Sequence, residues 1–239
     1  MRPPLRLNGI TNCNWDTVIP IEPMWVELKR IVKSRAAIVL TATQPFTSRL
    51  VSSNYEMFRY EWIWEKNVGI GFLNSKHEPM RWHENILVFA NKRSLYYPQK
   101  RRGKGFRVDV KGVKTKIYGK QKNVFSINNG DNYFPKSIIH FGNENGKGKL
   151  HPTQKPLKLF EYLIKTYTLE GQIVLDMTCG SGTTALAAQN LGRQFICGDI
   201  TLEYVEIARK RLQDADPYQA TIHADGSKQL SLFEGLEAE

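Results

Sequence analysis

The chain is 239 residues long, enough for one α/β domain with an insertion and too few for two full-sized domains. Its 41% hydrophobic content excludes wholesale disorder, no stretch approaches the ~20 apolar residues of a membrane span, and a net charge of +11 points to a polyanionic partner. Cys13, Cys179 and Cys197 stand far apart with no C-x-x-C pair, which argues against a disulfide framework or structural zinc and fits a reducing cytoplasm; no apolar run follows Arg2, so a secretory signal is not expected.

Apolar residues recurring at three and four (Met24, Leu28, Ile31, Val32) predict a helix over 23–33, with Pro23 in its first turn. The run AAIVLT at 36–41 predicts a strand buried on both faces. A short helix is expected over 45–53. An alternating strand is expected over 60–66, with Tyr60, Trp62 and Trp64 on one side and both tryptophans in the core. NILVFA, at 85–90, predicts another buried strand.

The charge is concentrated in residues 92–150, where fifteen Lys and Arg face three acids (Asp109, Asp131, Glu144), a net of +12. The rest of the chain is therefore close to neutral. Aromatics (Tyr96, Tyr97, Phe106, Tyr118, Phe125, Tyr133, Phe134) and glycines are interleaved with the cations. Two readings fit: a nucleic-acid-contacting insertion, with cations for phosphates and other side chains for base edges, or a solvated basic loop over tucked-in aromatics. Lys100, Arg101, Arg102, Lys104, Arg107, Lys111, Lys114 and Lys116 are the candidate DNA contacts.

Beyond the insertion, Leu157, Phe160, Leu163, Ile164 and Tyr167 predict a helix over 156–168. Strands are expected at 173–176 and 194–199, with helices at 183–191 (stopped by Gly192) and 202–212, then a polar tail. Strands alternating with helices predict an α/β, doubly wound, mostly parallel sheet. The five histidines (His77, His83, His140, His151, His223) show no metal-ligand spacing, so no metal is expected.

The sharpest local signal is VLDMTCGSGTT at 174–184: a strand ending in Asp176, a Gly-Ser-Gly turn and a helix opening at Thr183. Gly180 and Gly182 permit positive φ and close approach of a ligand to backbone. Asp199 ends the next strand, where a carboxylate can accept from ribose hydroxyls. No lysine follows the glycines, so an ATPase phosphate cradle is excluded. The G-x-G-x-x-A spacing leaves a nicotinamide oxidoreductase open, as it does a plain strand-to-helix turn. The carboxylate at Asp176 favours a cationic cofactor over a pyrophosphate; S-adenosylmethionine carries an ammonium and no phosphate.

These segments resemble the DNA amino-methyltransferases that modify adenine N6 or cytosine N4. Residues 176–184 resemble that family's D-P-F-x-G-S-G-T-T loop, 151–156 (HPTQKP) its H-P-T-Q-K-P signature, and 195–204 (FICGDITLEY) its F-I-G-I-E-x-D-x-x-Y segment. Residues 64–67 (WEKN) and 83–89 (HENILVF) also resemble family segments, and the match covers roughly residues 9–212. The order of catalytic half, basic insertion and cofactor half resembles the permuted β class, whose insertion reads the target sequence. The resemblance implies a Rossmann-like methyltransferase fold, S-adenosylmethionine as cofactor and double-stranded DNA as partner. It implies that Asp176, Thr178, Gly180, Ser181 and Gly182 line the methionine end of the cofactor and that Asp199 holds the ribose. His151, Thr153, Gln154 and Lys155 would cover the methionine carboxylate. Glu65, Lys66 and Asn67, at the end of the alternating strand, are candidates to face the target base.

The family places D-P-P-Y or S-P-P-Y after its first catalytic strand, to accept the hydrogens of the exocyclic amine and to stack on the flipped base. Residues 9–16 (GITNCNWD) match the text that follows this tetrapeptide, so Leu5, Arg6, Leu7 and Asn8 stand in its place, without the acid or the ring. The strand expected before it is missing as well, so the methyltransferase domain reads as N-terminally incomplete. The expectation is a site-specific DNA methyltransferase of the restriction-modification kind, adenine N6 ahead of cytosine N4, with weak or no turnover. The alternative is an inactive remnant that binds DNA and S-adenosylmethionine. The expected organisation is a catalytic half over 1–91, a target-recognition insertion over 92–150, a cofactor half over 151–213 and a flexible tail over 214–239. In the tail, Gln229, Leu230, Leu232 and Phe233 resemble the Q-L-x-L-F peptide that holds the bacterial sliding clamp, or else fold back as a terminal strand. A homodimer is a further expectation from the family.

Overall fold

The computed structural model describes residues 19–110, 114–115, 119–120, 124–128, 130, 133–143 and 154–215. They fall into two compact units, 98–137 and the remainder.

The larger unit opens with α1 (Ile21–Ile31), which buries Ile21, Trp25 and Leu28 at spacings of four and three. Its inward face is rotated from the predicted one. Met24 is only partly covered and Ile31 is exposed, because the large indole of Trp25 takes the core position. Then come β1 (Ile38–Ala42), α2 (Phe46–Ser53), β2 (Phe58–Ile70) and β3 (Arg81–Phe89). β2 runs well past the predicted 60–66, with a register irregularity between Glu65 and Ile70. β3 lies antiparallel to both β1 and β2. The connection from β2 to β3 is too short for the helical crossover that a parallel pair needs, roughly a dozen residues or more. The sheet is therefore mixed.

The smaller unit holds β4 (Phe106–Val110) paired with β7 (Val124–Asn128), and β5 (Lys114–Thr115) paired with β6 (Gly119–Lys120), all antiparallel. At its neck Arg101 and Tyr133 exchange both backbone hydrogen bonds, at 3.0 and 3.2 Å. Gly103 N–H donates to the Gly130 carbonyl at 2.7 Å.

The chain returns to the larger unit with β8 (Ile138–His140), a strand the sequence reading passed over, which pairs parallel with β2. It completes a four-stranded sheet of order β1-β3-β2-β8. After α3 (Leu157–Tyr167) come β9 (Ile173–Asp176), α4 (Thr183–Asn190), β10 (Gln194–Cys197) and α5 (Leu202–Asp214). β9 and β10 form a separate parallel pair.

Three apolar clusters hold the larger unit together. On one face of the four-stranded sheet, α1 and Leu50 of α2 pack on Ile38, Ala42, Leu87 and Phe89. On the other face, Leu159, Leu163 and Tyr167 of α3 pack on Trp62, Trp64, Ile86 and Val88. Both tryptophans are core, as expected. Trp62 Nε1–H donates to the Tyr167 hydroxyl at 2.7 Å, and the Tyr60 and Tyr167 hydroxyls lie 3.0 Å apart. Burial pushes the Tyr167 phenol well above its usual range, and the neighbouring Tyr60 hydroxyl adds to the shift. The third cluster joins Ile164 of α3 to Ala187 and Ala188 of α4, with Val174 and Phe195 against it. α3 thus spans both sheets.

Candidate cofactor site

β9 and β10 deliver two carboxylates to one end of their pair. Gly198 N–H donates to the Asp176 carbonyl and Cys179 N–H to the Gly198 carbonyl, both at 3.0 Å, so the loop after β9 is stitched to the end of β10. The Asp176 carboxylate accepts from Thr178 N–H at 3.0 Å and from the Thr184 hydroxyl. The Asp199 carboxylate accepts from Gly180 N–H at 2.9 Å and from Thr201 N–H at 3.0 Å. Each aspartate therefore holds the loop's shape, and each oxygen keeps a lone pair for a further donor.

The two glycines play different parts. Gly180 takes φ +50°, and its N–H is the group that Asp199 grips. Gly182 takes φ +77° at the start of α4, and a Cβ there would stand 2.7 Å from the Cβ of Ala208 on α5. Gly182 thus serves helix packing as well as the turn. Arg211 of α5 ties the same turn down, donating to the Ser181 carbonyl at 3.2 Å and to Thr183 Oγ1 at 3.0 Å.

Gln154 reaches this loop, and Lys155 lines the cleft beside it. The Ser181 hydroxyl donates to Gln154 Oε1 at 3.3 Å. Lys155 Nζ lies 3.3 Å from Glu84 Oε2, and Lys66 Nζ lies 2.5 Å from Glu84 Oε1. This ion cluster is largely dry: the side chains of Lys66, Glu84 and Lys155 are 5%, 12% and 23% exposed. Burial pushes the Glu84 carboxyl up, but the ammonium groups of Lys155 and Lys66 outweigh it and hold the group below its usual range. Sequence reasoning missed Glu84. The signal was an acid between His83 and the apolar run of β3, facing a lysine on the neighbouring strand.

Lys66 is therefore spent on Glu84, and it also stands 5.1 Å from the Trp64 ring centroid. Asn67 Oδ1 accepts from Asn143 N–H at 2.7 Å. Neither Glu65 nor Asn67 ends its strand, which continues to Ile70. Ile200 is a second residue the sequence reading passed over. It follows Asp199 directly and is 91% exposed, an apolar surface that could cover one face of a nucleobase. The Cys179 thiol donates to the Gly180 carbonyl at 3.9 Å; the neighbouring Cys197 thiol lowers Cys179, while Cys179 and burial together raise Cys197.

A cleft of about 1530 Å³ opens beside the loop, lined among others by Asp176, Thr178, Gly180, Ser181, Gln154 and Lys155. Asp199 and Gly182 adjoin the loop, Asp199 through Gly180 N–H and Gly182 at the start of α4. His151, Thr153, the 5–8 tetrapeptide, Lys111, Lys116 and the 229–233 peptide lie outside the described residues. In the smaller unit Lys100, Arg101, Arg102 and Lys104 are exposed, with Lys100 5.2 Å from the Phe134 ring centroid and Arg101 5.0 Å from that of Tyr133. Arg107 lies on β4 and Lys114 on β5. Among the described residues no group of His, Cys, Asp and Glu could hold a metal ion, and no helix is long and apolar enough to cross a membrane.

The same arrangement has known counterparts. The chain is 32% identical over 206 residues to the type II methyltransferase M.HpaI of Haemophilus parainfluenzae, covering 84% of this chain and 61% of that protein's length. It is 26% identical over 227 residues to the type II methyltransferase M1.MboII of Moraxella bovis, covering 84% of each. Among solved structures, the M1.HpyAVI–SAM complex aligns with a TM-score of 0.58 at 26% identity, over 79% of this chain and 80% of that one. The cytosine-N4-specific PvuII DNA methyltransferase shares the fold at 16% identity, with a TM-score of 0.57 over 89% of this chain and 81% of that one. The DNA methylase family profile matches residues 14–210, which takes in both the β1–β3 region and the loop between Asp176 and Asp199, and the chain belongs to that family.

Proposed function

We propose that the chain is built to bind S-adenosylmethionine and double-stranded DNA, for methyl transfer to the exocyclic amine of a flipped base, adenine N6 ahead of cytosine N4. The observation that carries this reading is the loop from Asp176 to Ser181, pinned by Asp199 and facing an open cleft. The donor set suits the cofactor: carboxylates for its ammonium and ribose hydroxyls, a glycine backbone for close approach, and an apolar Ile200 for its adenine. The bound cofactor would supply an electrophilic methyl group on a sulfonium.

This chain's residues then bind and orient. Asp176, Thr178, Gly180, Ser181 and Gly182 hold the methionine end; Asp199 holds the ribose. Gln154 and Lys155, with His151 and Thr153, close over the carboxylate. The smaller unit's cations, Lys100, Arg101, Arg102, Lys104, Arg107, Lys111, Lys114 and Lys116, grip phosphates. A methyltransferase paired with a restriction enzyme, acting on DNA in the cytoplasm, is the setting that the names of the type II relatives support. Gln229, Leu230, Leu232 and Phe233 as a sliding-clamp tether, and pairing of two copies, belong to the same reading.

Methyl transfer by residues 1–239 is weak in this reading, because Leu5, Arg6, Leu7 and Asn8 offer neither an acid for the amine nor a ring for the base. Calorimetry should show one site for S-adenosylmethionine and none for NAD. Tritiated methyl incorporation into mixed-sequence DNA should stay near background. An NAD site would overturn the cofactor reading, and robust turnover would overturn the impairment.

A further inference from the structure

An ammonium group is costly to bury, yet the Lys66 side chain is only 5% exposed. Its place follows from the register. Trp64 of β2 pairs with Glu84 of β3, and Lys66 stands two residues past Trp64. Side chains alternate along a strand, so Lys66 shares the face of Trp64 and is a diagonal neighbour of Glu84. α3 packs Leu159 and Leu163 on that face. The two residues before α3 are Lys155 and Pro156, so the lead-in to the helix brings Lys155 to the second oxygen of Glu84.

The three side chains share their charge unequally. Lys66 Nζ lies 2.5 Å from Glu84 Oε1, and Lys155 Nζ lies 3.3 Å from Oε2. Burial opposes ionisation of Glu84, but Lys155 and Lys66 outweigh it, so the carboxylate is charged at neutral pH. Two ammonium groups against one carboxylate leave a surplus of one positive charge. The shorter and drier pair is Lys66 with Glu84, so the surplus falls to Lys155. Of the three, Lys155 is the member that lines the cleft, and Gln154 beside it accepts from the Ser181 hydroxyl. A cation is thus held at the wall of the cleft by a buried anchor. Without Lys66, Lys155 and Glu84 would form a neutral pair.

We propose that Lys66 is a positioning residue for the carboxylate of the ligand: it takes up the charge of Glu84, so that Lys155 stays anchored and keeps a positive charge for an anionic group in the cleft. The effect is carried by burial, since charges shielded from water act on one another with little screening. This rests on the reading of the cleft as an S-adenosylmethionine site. Lys66, a candidate from sequence to face the target base, acts here on the amino-acid end of the cofactor.

Calorimetry on the full chain compares two ligands. S-adenosylhomocysteine carries the amino-acid carboxylate; 5′-methylthioadenosine has the same adenosine and thioether without it. The parent should bind both. Lys66→Met should weaken S-adenosylhomocysteine about tenfold or more and leave 5′-methylthioadenosine within about twofold. Lys66→Met combined with Glu84→Gln returns the surplus charge and keeps an amide acceptor for Lys155. That double variant should bring S-adenosylhomocysteine back to within about threefold of the parent. Equal weakening of both ligands in Lys66→Met would mean a loosened site rather than a lost charge, and would overturn the proposal. So would unchanged S-adenosylhomocysteine binding in Lys66→Met, or a double variant that restores nothing. A parent that does not bind S-adenosylhomocysteine would bring down the cofactor reading and this inference together.

Discussion

Replacing Glu84 with Gln tests the buried ion cluster that joins β3 to the residues beside the cofactor loop. The carboxylate holds Lys66 at 2.5 Å and Lys155 at 3.3 Å, and Lys66 is only 5% exposed. Glutamine keeps the shape and removes the charge, leaving the Lys66 ammonium buried beside a neutral amide. Breaking a buried pair from one side costs about 3–5 kcal/mol, most of it the uncompensated charge left behind. Lys155 is more exposed and can turn to water, so the lower figure applies, about 3 kcal/mol. For a chain of this size that is a fall in Tm of roughly 6–12 °C. The double variant Lys66→Met, Glu84→Leu removes both buried charges and should recover most of the loss. The pH dependence has a fixed sign. A carboxyl held below its unfolded value contributes stability above about pH 4.5 that is lost as pH falls through its folded value. The parent should therefore lose stability over that acidic range more steeply than Glu84→Gln. Urea titrations from pH 3 to pH 7 measure both effects. A Glu84→Gln variant within about 0.5 kcal/mol of the parent at pH 7 would refute the reasoning, since surface changes commonly fall within that range.

Three further outcomes follow from the geometry. Tyr167→Phe leaves the Trp62 indole N–H without its acceptor and should cost about 1–3 kcal/mol in chemical denaturation, with little change in cofactor affinity. Gly182→Ala combines a left-handed φ with a Cβ 2.7 Å from that of Ala208; it should lose about 1–2 kcal/mol or more and weaken S-adenosylmethionine in calorimetry. Changing both Arg101 and Arg102 to Gln should leave cofactor binding unchanged. It should flatten the slope of log K for DNA against log salt by about 0.9 for each phosphate that the variant no longer neutralises.

Much of the architecture was legible from periodicity alone. The 3.6-residue pattern over 156–168 located α3 almost to the residue, and the short apolar runs read at 36–41, 85–90 and 173–176 fall on β1, β3 and β9. The loop at Asp176 was visible because glycines and an acid at a strand end carry a mechanical meaning. What the pattern could not carry was pairing. β8 is three residues long with a single buried side chain, too short for alternation to register. The direction of β3 depends on how few residues connect it to β2, which apolar runs do not reveal. Glu84 was hidden for a different reason: an acid at the edge of an apolar run has meaning only once Lys66 and Lys155 are found beside it, and those partners are distant in sequence.

The neck of the smaller unit has a consequence for how this protein can change. Arg101 and Tyr133 clasp each other through both backbone hydrogen bonds, with the Arg101 guanidinium 5.0 Å from the Tyr133 ring centroid, and Gly103 and Gly130 add a second tie inside the clasp. The points where the excursion leaves and rejoins are thus fixed without reference to any side chain between them. Residues 106–128 can be rewritten, lengthened or grafted from a cousin while the clasp keeps the junction closed. Natural selection is free to try new readers on an unchanged engine, and a protein engineer can do the same with one cassette.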